Sequence, residues 1–136
     1  MKKTVFLLLI FLITSCSSSD SKEIEKFKFS GYYSGTFTRN GEQGNIETGN
    51  GTIFFTIHDD REIEGGYDVV NLTYFSLDGT IDENGNLQLF PTGFGVGNAA
   101  TFDGKIINGT INGTWADPSR NWTGVFTASK LYEVTN

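Results

Sequence analysis

From residue 27 to residue 130 the chain consists of short segments in which apolar and polar residues alternate, separated by turns rich in asparagine, glycine and aspartate. A period of two is typical of strands with one buried face, and no stretch repeats its apolar residues with a helical period. Asn84-Gly85 and Asn108-Gly109 each separate two such segments. Because Asn-Gly accepts the positive φ angles of a tight hairpin turn, these dipeptides predict antiparallel neighbours.

The alternating segments give eight predicted strands. They are expected at residues 27–38, 49–58, 67–75, 76–82, 86–90, 99–107, 110–117 and 121–130. The longer polar connections between them are expected at residues 39–48, 59–66 and 91–98. A chain of this kind, in which sequential strands pair through short turns, is predicted to form an all-β meander.

The alternation gives the predicted strands one apolar face, and on nearly every strand that face also carries glycine. On the first strand it consists of Phe27, Phe29, Gly31, Tyr33, Gly35 and Phe37. Glycine weakens a flat strand but relieves crowding where a sheet bends and closes. Closure also removes exposed sheet edges. We therefore predict a single antiparallel up-and-down β-barrel over residues 26–132, with an interior for side chains or one small ligand.

Two segments resemble known barrel proteins. Phe29-Ser30-Gly31-Tyr32-Tyr33 resembles the Gly-x-Trp region that opens lipocalin and avidin barrels, with Tyr33 in place of the tryptophan. Residues 111–130, INGTWADPSRNWTGVFTASK, resemble the closing hairpin of small bacterial lipocalin-like and avidin-like lipoproteins. The resemblance implies a calycin-like barrel. It does not extend to biotin binding, because Ser34-Gly35-Thr36 stands where avidins place an asparagine and a serine.

The first fifteen residues have the parts of an export signal. Lys2 and Lys3 precede an apolar run over residues 4–13, which is shorter than the ~20 residues that span a bilayer. Ile13-Thr14-Ser15-Cys16 resembles the lipobox of bacterial lipoproteins. The resemblance implies cleavage after residue 15 and lipidation of Cys16, with several acyl chains giving a stable anchor.

The segment after the cleavage site is expected to be a flexible tether. Residues 16–25 are rich in serine and contain no periodic apolar pattern. Ser17 stands where retention in the inner membrane would call for aspartate, and the serine-rich acidic stretch resembles surface-export signals of Bacteroidetes lipoproteins. The expected location is the cell envelope, at the outer membrane. Cys16 is the only cysteine, so no intramolecular disulfide can form.

Charge and motif content narrow the function classes. The net charge of −6 becomes −8 when Lys2 and Lys3 are cleaved off, which argues against binding of nucleic acid or anionic lipid surfaces. Residues 58–62, His-Asp-Asp-Arg-Glu, contain the only histidine, but consecutive residues on a strand point in opposite directions, and a loop explains them better than a metal or acid–base site. We expect no catalytic residues, metal site or cofactor.

The inward aromatic residues are the candidates for a ligand site. Those expected to line it are Tyr33, Phe37, Phe55, Trp115, Trp122 and Phe126. Tyr33 and Trp115 also offer one polar atom each. Core packing is the competing interpretation. Inward glycines favour a hollow interior, because they remove volume where a packed core would have methyl groups.

Three functions therefore stay open at the level of sequence. The barrel could carry a small apolar or amphipathic ligand, its loops could bind or inhibit an envelope protein, or the chain could be a structural envelope lipoprotein. A cavity of several hundred Å³ would be typical of a ligand carrier, whereas a filled interior favours the loops. The chain is expected to be a monomer attached to the membrane through Cys16.

Replacing Cys16 with alanine should release the protein from the membrane fraction or leave the precursor uncleaved, because the thiol that receives the lipid is lost. Fractionation of cells followed by immunoblotting measures both effects. Substituting Ser18 by alanine is the matched control and should change neither. Unaltered processing and fractionation of the Cys16 variant would contradict the lipoprotein prediction.

Overall fold

The computed structural model describes residues 25–40, 49–70, 74–92 and 100–134, and this part of the chain contains eight strands and no helix. The strands are β1 (Gly31–Arg39), β2 (Gly51–Ile57), β3 (Glu62–Val69), β4 (Tyr74–Ile81), β5 (Asn86–Thr92), β6 (Thr101–Ile107), β7 (Thr110–Asp117) and β8 (Trp122–Tyr132). Each pairs antiparallel with the next, and β1 pairs with β8. The predicted eight-stranded up-and-down barrel is confirmed.

The seam between β1 and β8 closes the barrel. Gly35 lies opposite Ala128 and Phe37 lies opposite Phe126, so the inward faces of the first and last strands meet. A β-bulge shifts the register between Tyr32 and Tyr33. Bulges increase the local twist of a strand, which helps a sheet to curl onto itself.

The predicted connection at residues 59–66 is wrong, because β3 already begins at Glu62. Ile63 is only 2% exposed, whereas Glu62 and Glu64 face outwards. Buried and exposed side chains therefore alternate along the charged run, as they do in a strand with one buried face. The connection before it is the turn at residues 58–61, with a φ of 75° at Arg61. The single strand predicted at residues 67–75 is likewise the end of β3 and the start of β4.

Apart from the start of the first strand, the other predicted strand boundaries lie within two residues of the observed ones. The first strand starts at Gly31 rather than at residue 27, since residues 27–30 form a turn in which the Ser30 amide donates to the Phe27 carbonyl. The predicted loops 39–48 and 91–98 lie mostly outside the described residues.

One end of the barrel, here called the lower end, is closed by residues 25–30. Short turns join β2 to β3, β4 to β5 and β6 to β7 at this end. Phe27 and Phe29 pack against the core, and Phe29 lies beside Gly85 in the β4–β5 turn. The Phe27 amide donates to Asp59 Oδ1 at 3.1 Å, and the Tyr33 hydroxyl donates to the Phe29 carbonyl at 2.9 Å.

An ion-pair cluster ties the start and the end of the described chain together at this lower end. Glu133, just after β8, pairs with Lys26 at 2.6 Å and with Lys130. Hydrogen bonds from Lys130 and Lys26 lower the pKa of the Glu133 carboxyl to about 2. The cluster is exposed, so it orients the segment more than it stabilises the fold.

The interior of the described strands is packed with aromatic rings. Phe37 makes edge contacts with Tyr67, Phe102 and Trp115 at centroid distances of 5.6 to 5.8 Å. Tyr33 stacks on Phe55 nearer the lower end, at 5.7 Å. Aromatic pairs at such distances add about 0.5–1.5 kcal/mol each beyond the area they bury.

The inward glycines make room for neighbouring backbone and rings. A methyl group at Gly35 would overlap the Thr127 carbonyl of β8, and one at Gly113 would overlap the ring of Phe126. The glycines are therefore needed because neighbouring backbone and rings already occupy the space that a side chain would take. The expectation that they leave a void inside the barrel is wrong.

Substituting Gly35 by alanine should lower the free energy of unfolding by about 3 kcal/mol, because the methyl group meets backbone that cannot move aside. Urea unfolding followed by tryptophan fluorescence measures the change. Gly109 is the control: it has a φ of 77° and open space around it, so asparagine should cost less than about 1 kcal/mol there. Equal effects of the two substitutions would refute this account of the glycines.

Candidate functional site

The opposite end of the barrel, the upper end, carries a small recess of about 30 Å³. The connections between β1 and β2, β3 and β4, β5 and β6, and β7 and β8 are at this end. The residues that line the upper recess are Phe37, Gly49, Tyr67, Val69, Phe75, Ala100, Phe102, Trp115, Asp117, Arg120 and Trp122. Its volume equals roughly one water molecule's share of the liquid, so it admits the tip of a ligand and no more.

Tyr67 supplies the recess with a hydroxyl group. The residue is 5% exposed, and its ring stacks on Phe75 at a centroid distance of 5.0 Å. Within the described part of the chain its hydroxyl has no hydrogen-bond partner. Among the described residues the fully buried side-chain polar atom without a partner is Ser30 Oγ, so the Tyr67 hydroxyl reaches water, and a bound acceptor would take the place of that water.

The protonation state of Tyr67 fixes its role as a donor. Burial raises the pKa of the Tyr67 hydroxyl to about 12, the charge of Asp117 acts in the same direction, and Arg120 opposes it. The hydroxyl therefore keeps its proton at any physiological pH. It can offer that proton to an acceptor atom in the recess.

Asp117 and Arg120 build the rim of the recess from the β7–β8 turn. Asp117 is 3% exposed; its Oδ1 accepts from the Ser119 amide and hydroxyl at 3.0 and 2.6 Å, and its Oδ2 accepts from Arg120 Nη1 at 2.5 Å. Burial raises the pKa of the Asp117 carboxyl, but the hydrogen bonds from Ser119 and Arg120 outweigh it and leave the pKa below its usual value. The carboxylate stays charged and fixes the turn.

Trp122 is in contact with two cations at the same rim. The guanidinium carbon of Arg39 is 4.9 Å from the centroid of the Trp122 ring, and that of Arg120 is 5.4 Å from it. Both contacts are in the range of cation–π attraction. The Arg39 amide also donates to Asn50 Oδ1 at 2.9 Å, which fixes the end of β1 beside the rim.

Three of the six residues predicted to line a ligand site do line the upper recess: Phe37, Trp115 and Trp122. The other three, Tyr33, Phe55 and Phe126, lie in the packed interior away from it. The two polar atoms singled out in the sequence are already engaged. The Tyr33 hydroxyl bonds to the Phe29 carbonyl, and Trp115 Nε1 donates to the Thr38 carbonyl at 2.9 Å.

Sequence reasoning missed Tyr67 and Asp117. Tyr67 is the first residue of the strand predicted at residues 67–75, whose bounds are wrong, so the face that Tyr67 occupies could not be assigned. Asp117-Pro118 in the last hairpin was a usable signal, because aspartate before a turn proline often accepts hydrogen bonds from the following amides.

The remaining predicted positions lie elsewhere. Cys16 is outside the described residues. His58 Nε2 and Glu64 Oε1 are 3.1 Å apart across the β2–β3 hairpin, on the outer surface. Among the described residues no group of three histidine, cysteine or acidic side chains is placed to hold a metal ion. That same part of the chain has no helix long and apolar enough to cross a membrane.

Comparison with known proteins leaves the family open. No protein family matches the chain, and no curated protein matches it. The lipobox and the lipocalin-like hairpin therefore stay predictions made from sequence.

Stability should fall with rising pH between about 10 and 12. Burial, reinforced by the charge of Glu133, raises the pKa of Tyr33 to about 12, as burial does for Tyr67, whereas the unfolded chain ionises near 10.0. The unfolded state therefore loses these protons first, so the stabilisation is complete below about pH 10 and is lost towards pH 12. Each unit of raised pKa corresponds to about 1.4 kcal/mol.

Urea unfolding over this pH range measures the decline, and the double substitution of Tyr33 and Tyr67 by phenylalanine should flatten it. At neutral pH the single variants should differ. Tyr33→Phe loses a hydrogen bond and about 1 kcal/mol, while Tyr67→Phe loses none among the described residues. An unchanged decline in the double variant would contradict the assignment.

Proposed function

We propose that the protein is a membrane-anchored, non-enzymatic binding protein of the cell envelope that holds the apolar end of a small amphipathic ligand in the upper recess. The observation that carries the proposal is a recess walled by aromatic rings, in which the Tyr67 hydroxyl has no hydrogen-bond partner among the described residues. Apolar walls with a few placed polar groups are typical of ligand sites.

The size of the recess determines how a ligand is held. About 30 Å³ accepts a terminal methyl group or a small branch, so the rest of the ligand lies across Trp122 and Phe75 at the open end. The polar group of the ligand is expected to be an acceptor, because Tyr67 donates and the described cations of the rim are Arg39 and Arg120, while Asp117 is already engaged. A short contact of this kind predicts modest affinity.

The closed lower end supports the direction of the anchor. Residues 25–30 cover that end, so a tether running from Cys16 to residue 25 reaches the barrel there. Lipidation of Cys16 would turn the lower end towards the membrane. The upper recess would then face away from it, open to ligands from the surrounding space.

The chemistry of the recess supports binding without catalysis. The carboxylate of Asp117 is engaged by Ser119 and Arg120, and the raised pKa of Tyr67 makes it a poor base. Nucleophilic catalysis needs a nucleophile with a base in hydrogen-bond reach. The described lining residues do not include such a pair.

A second function, docking of an envelope protein through the connections of the upper end, is favoured by the filled interior. The packing of the described strands leaves no volume for an enclosed drug-sized ligand. The connections of residues 40–50 and 93–100 are longer than the three turns of the lower end. Loops carried by a rigid barrel are frequent binding surfaces.

The two tryptophans make the proposal directly testable, because the chain has only two and both line the recess. With the whole chain in phosphatidylcholine nanodiscs, hexanol and hexanoate should shift both indole N–H signals in a nitrogen–proton NMR spectrum. Tyr67→Phe should weaken hexanoate binding about fivefold through the lost hydrogen bond.

Tyr33→Phe is the matched control, since it removes the same group at the lower end, and it should leave the affinity unchanged. If neither probe moves either indole signal, or if the two tyrosine variants weaken binding equally, the upper recess is not the ligand site.

A further inference from the structure

A row of aromatic rings lies on the outside of the barrel, away from the upper recess. Its members are Tyr132 on β8, Tyr32 on β1, Phe54 on β2 and Tyr74 on β4. Tyr32 and Tyr132 stack at a centroid distance of 5.0 Å, and Phe54 and Tyr74 at 5.9 Å. Tyr74 and Tyr132 are 48% and 58% exposed, so the row presents ring surface to solvent.

Gly66 on β3 allows this arrangement. It lies opposite Phe54 on one side and Ser76 on the other, and a methyl group there would overlap the ring of Tyr74. The Tyr74 ring therefore lies against the glycine. An aromatic ring that covers a glycine on a neighbouring strand protects its backbone and leaves its other face free for contacts.

The outer surface beside these rings carries charge of one sign. Strands β2, β3 and β4 contain four carboxylates, Glu62, Glu64, Asp68 and Asp78, and no lysine or arginine. Glu64 and Asp78 lie directly opposite each other in the register of β3 and β4. Like charges at such a position repel and destabilise the sheet.

The repulsion is only partly compensated within the described chain. His58 pairs with Glu64, while the carboxylate of Asp78 has no ion pair or hydrogen bond to another described residue. Two surface grooves of about 550 and 610 Å³ meet at Glu64 and Asp78, and the first of them is also lined by Tyr32 and Phe54. The carboxylates and the rings thus border one continuous surface.

We propose that this surface, the acidic aromatic wall of Tyr32, Phe54, Glu64, Tyr74 and Asp78, docks an arginine-bearing segment of another protein. A guanidinium can stack on a ring and donate to a carboxylate at once, which an ammonium does less well. Charge complementarity selects this occupant, because the wall is negative and arginine is a cation. The whole chain is also negative, which disfavours a second copy as the partner.

The chain uses the same contact elsewhere. Arg39 and Arg120 lie over Trp122, and Arg61 lies over Phe27, all at the ends of the barrel. None of the described cation–π contacts involves a ring of the wall. The rings of the wall are therefore available to a cation supplied from outside.

Binding of a short peptide in which arginine alternates with glycine tests the proposal, with the whole chain in phosphatidylcholine nanodiscs and empty nanodiscs as the blank. The arginine peptide should bind more tightly than its lysine counterpart and should weaken steeply with added salt, and a glutamate counterpart should not bind. Equal binding of the arginine and glutamate peptides would overturn the proposal.

Two variants separate a docking role from a structural one. Glu64→Gln with Asp78→Asn should lower affinity for the arginine peptide about tenfold while the free energy of unfolding stays equal or rises, since the repulsion is removed. Asp103→Asn on β6 removes a carboxylate from a different wall and should change neither quantity.

A loss of binding as large in the Asp103 variant as in the double variant would overturn the proposal, because the effect would then be one of net charge. A saccharide is the competing occupant of an exposed aromatic row. If cellohexaose binds, loses affinity in Phe54→Leu, and the arginine peptide does not bind, the wall is a saccharide surface and the proposal fails.

Discussion

Inside the barrel, the rings of Phe126, Phe37 and Trp115 lie over Gly113, Gly51 and Gly124. The interior of an eight-stranded barrel has a fixed radius set by strand number and stagger, so a large ring at one position leaves no room for a side chain at the next. Large side chains and glycines therefore have to alternate around the circumference of the barrel. This single constraint explains the glycine content, the packed interior and the displacement of any ligand site to the end of the barrel.

Much of this architecture could be predicted from the sequence because it is encoded locally. The Asn-Gly turns and the alternation of faces need only neighbouring residues, and they predict the strand number and the antiparallel order, while the inward glycines predict the closure. The interior volume could not be predicted in this way. Whether Gly35 borders a void or the Thr127 carbonyl depends on the register between β1 and β8, which the residues near Gly35 do not contain.

The candidate sites also have features that the sequence predicts and features that it does not. Phe37, Trp115 and Trp122 could be assigned to the recess from their inward position, although the sequence could not distinguish them from Tyr33 at the closed end. The outer wall was hidden for a different reason. Tyr32, Phe54 and Tyr74 are far apart in sequence, and the charges at Glu62 and Glu64 favour a loop when the sequence is considered alone. Closure of the sheet brings these strands together.

The upper recess and the acidic aromatic wall depend on the fold in different ways. The recess lies at the end where the strands run out, and its polar groups come from the β7–β8 turn and from β3. The wall lies on the sides of the strands, where outward positions do not affect interior packing. The barrel can therefore accept changes on the wall, such as the like-charge pair of Glu64 and Asp78, at little cost to its core.

The closure of the lower end also determines how the barrel would respond to mechanical force. Residues 25–30 lead directly into β1, and Glu133 links Lys26 and Lys130 beside the end of β8. With a tether at this end and a partner held at the upper end, tension would run along the strands. The hydrogen bonds of β1 to both β2 and β8 would then be loaded together in shear rather than opened one at a time. A barrel of this topology would therefore resist tension that is applied along its strands.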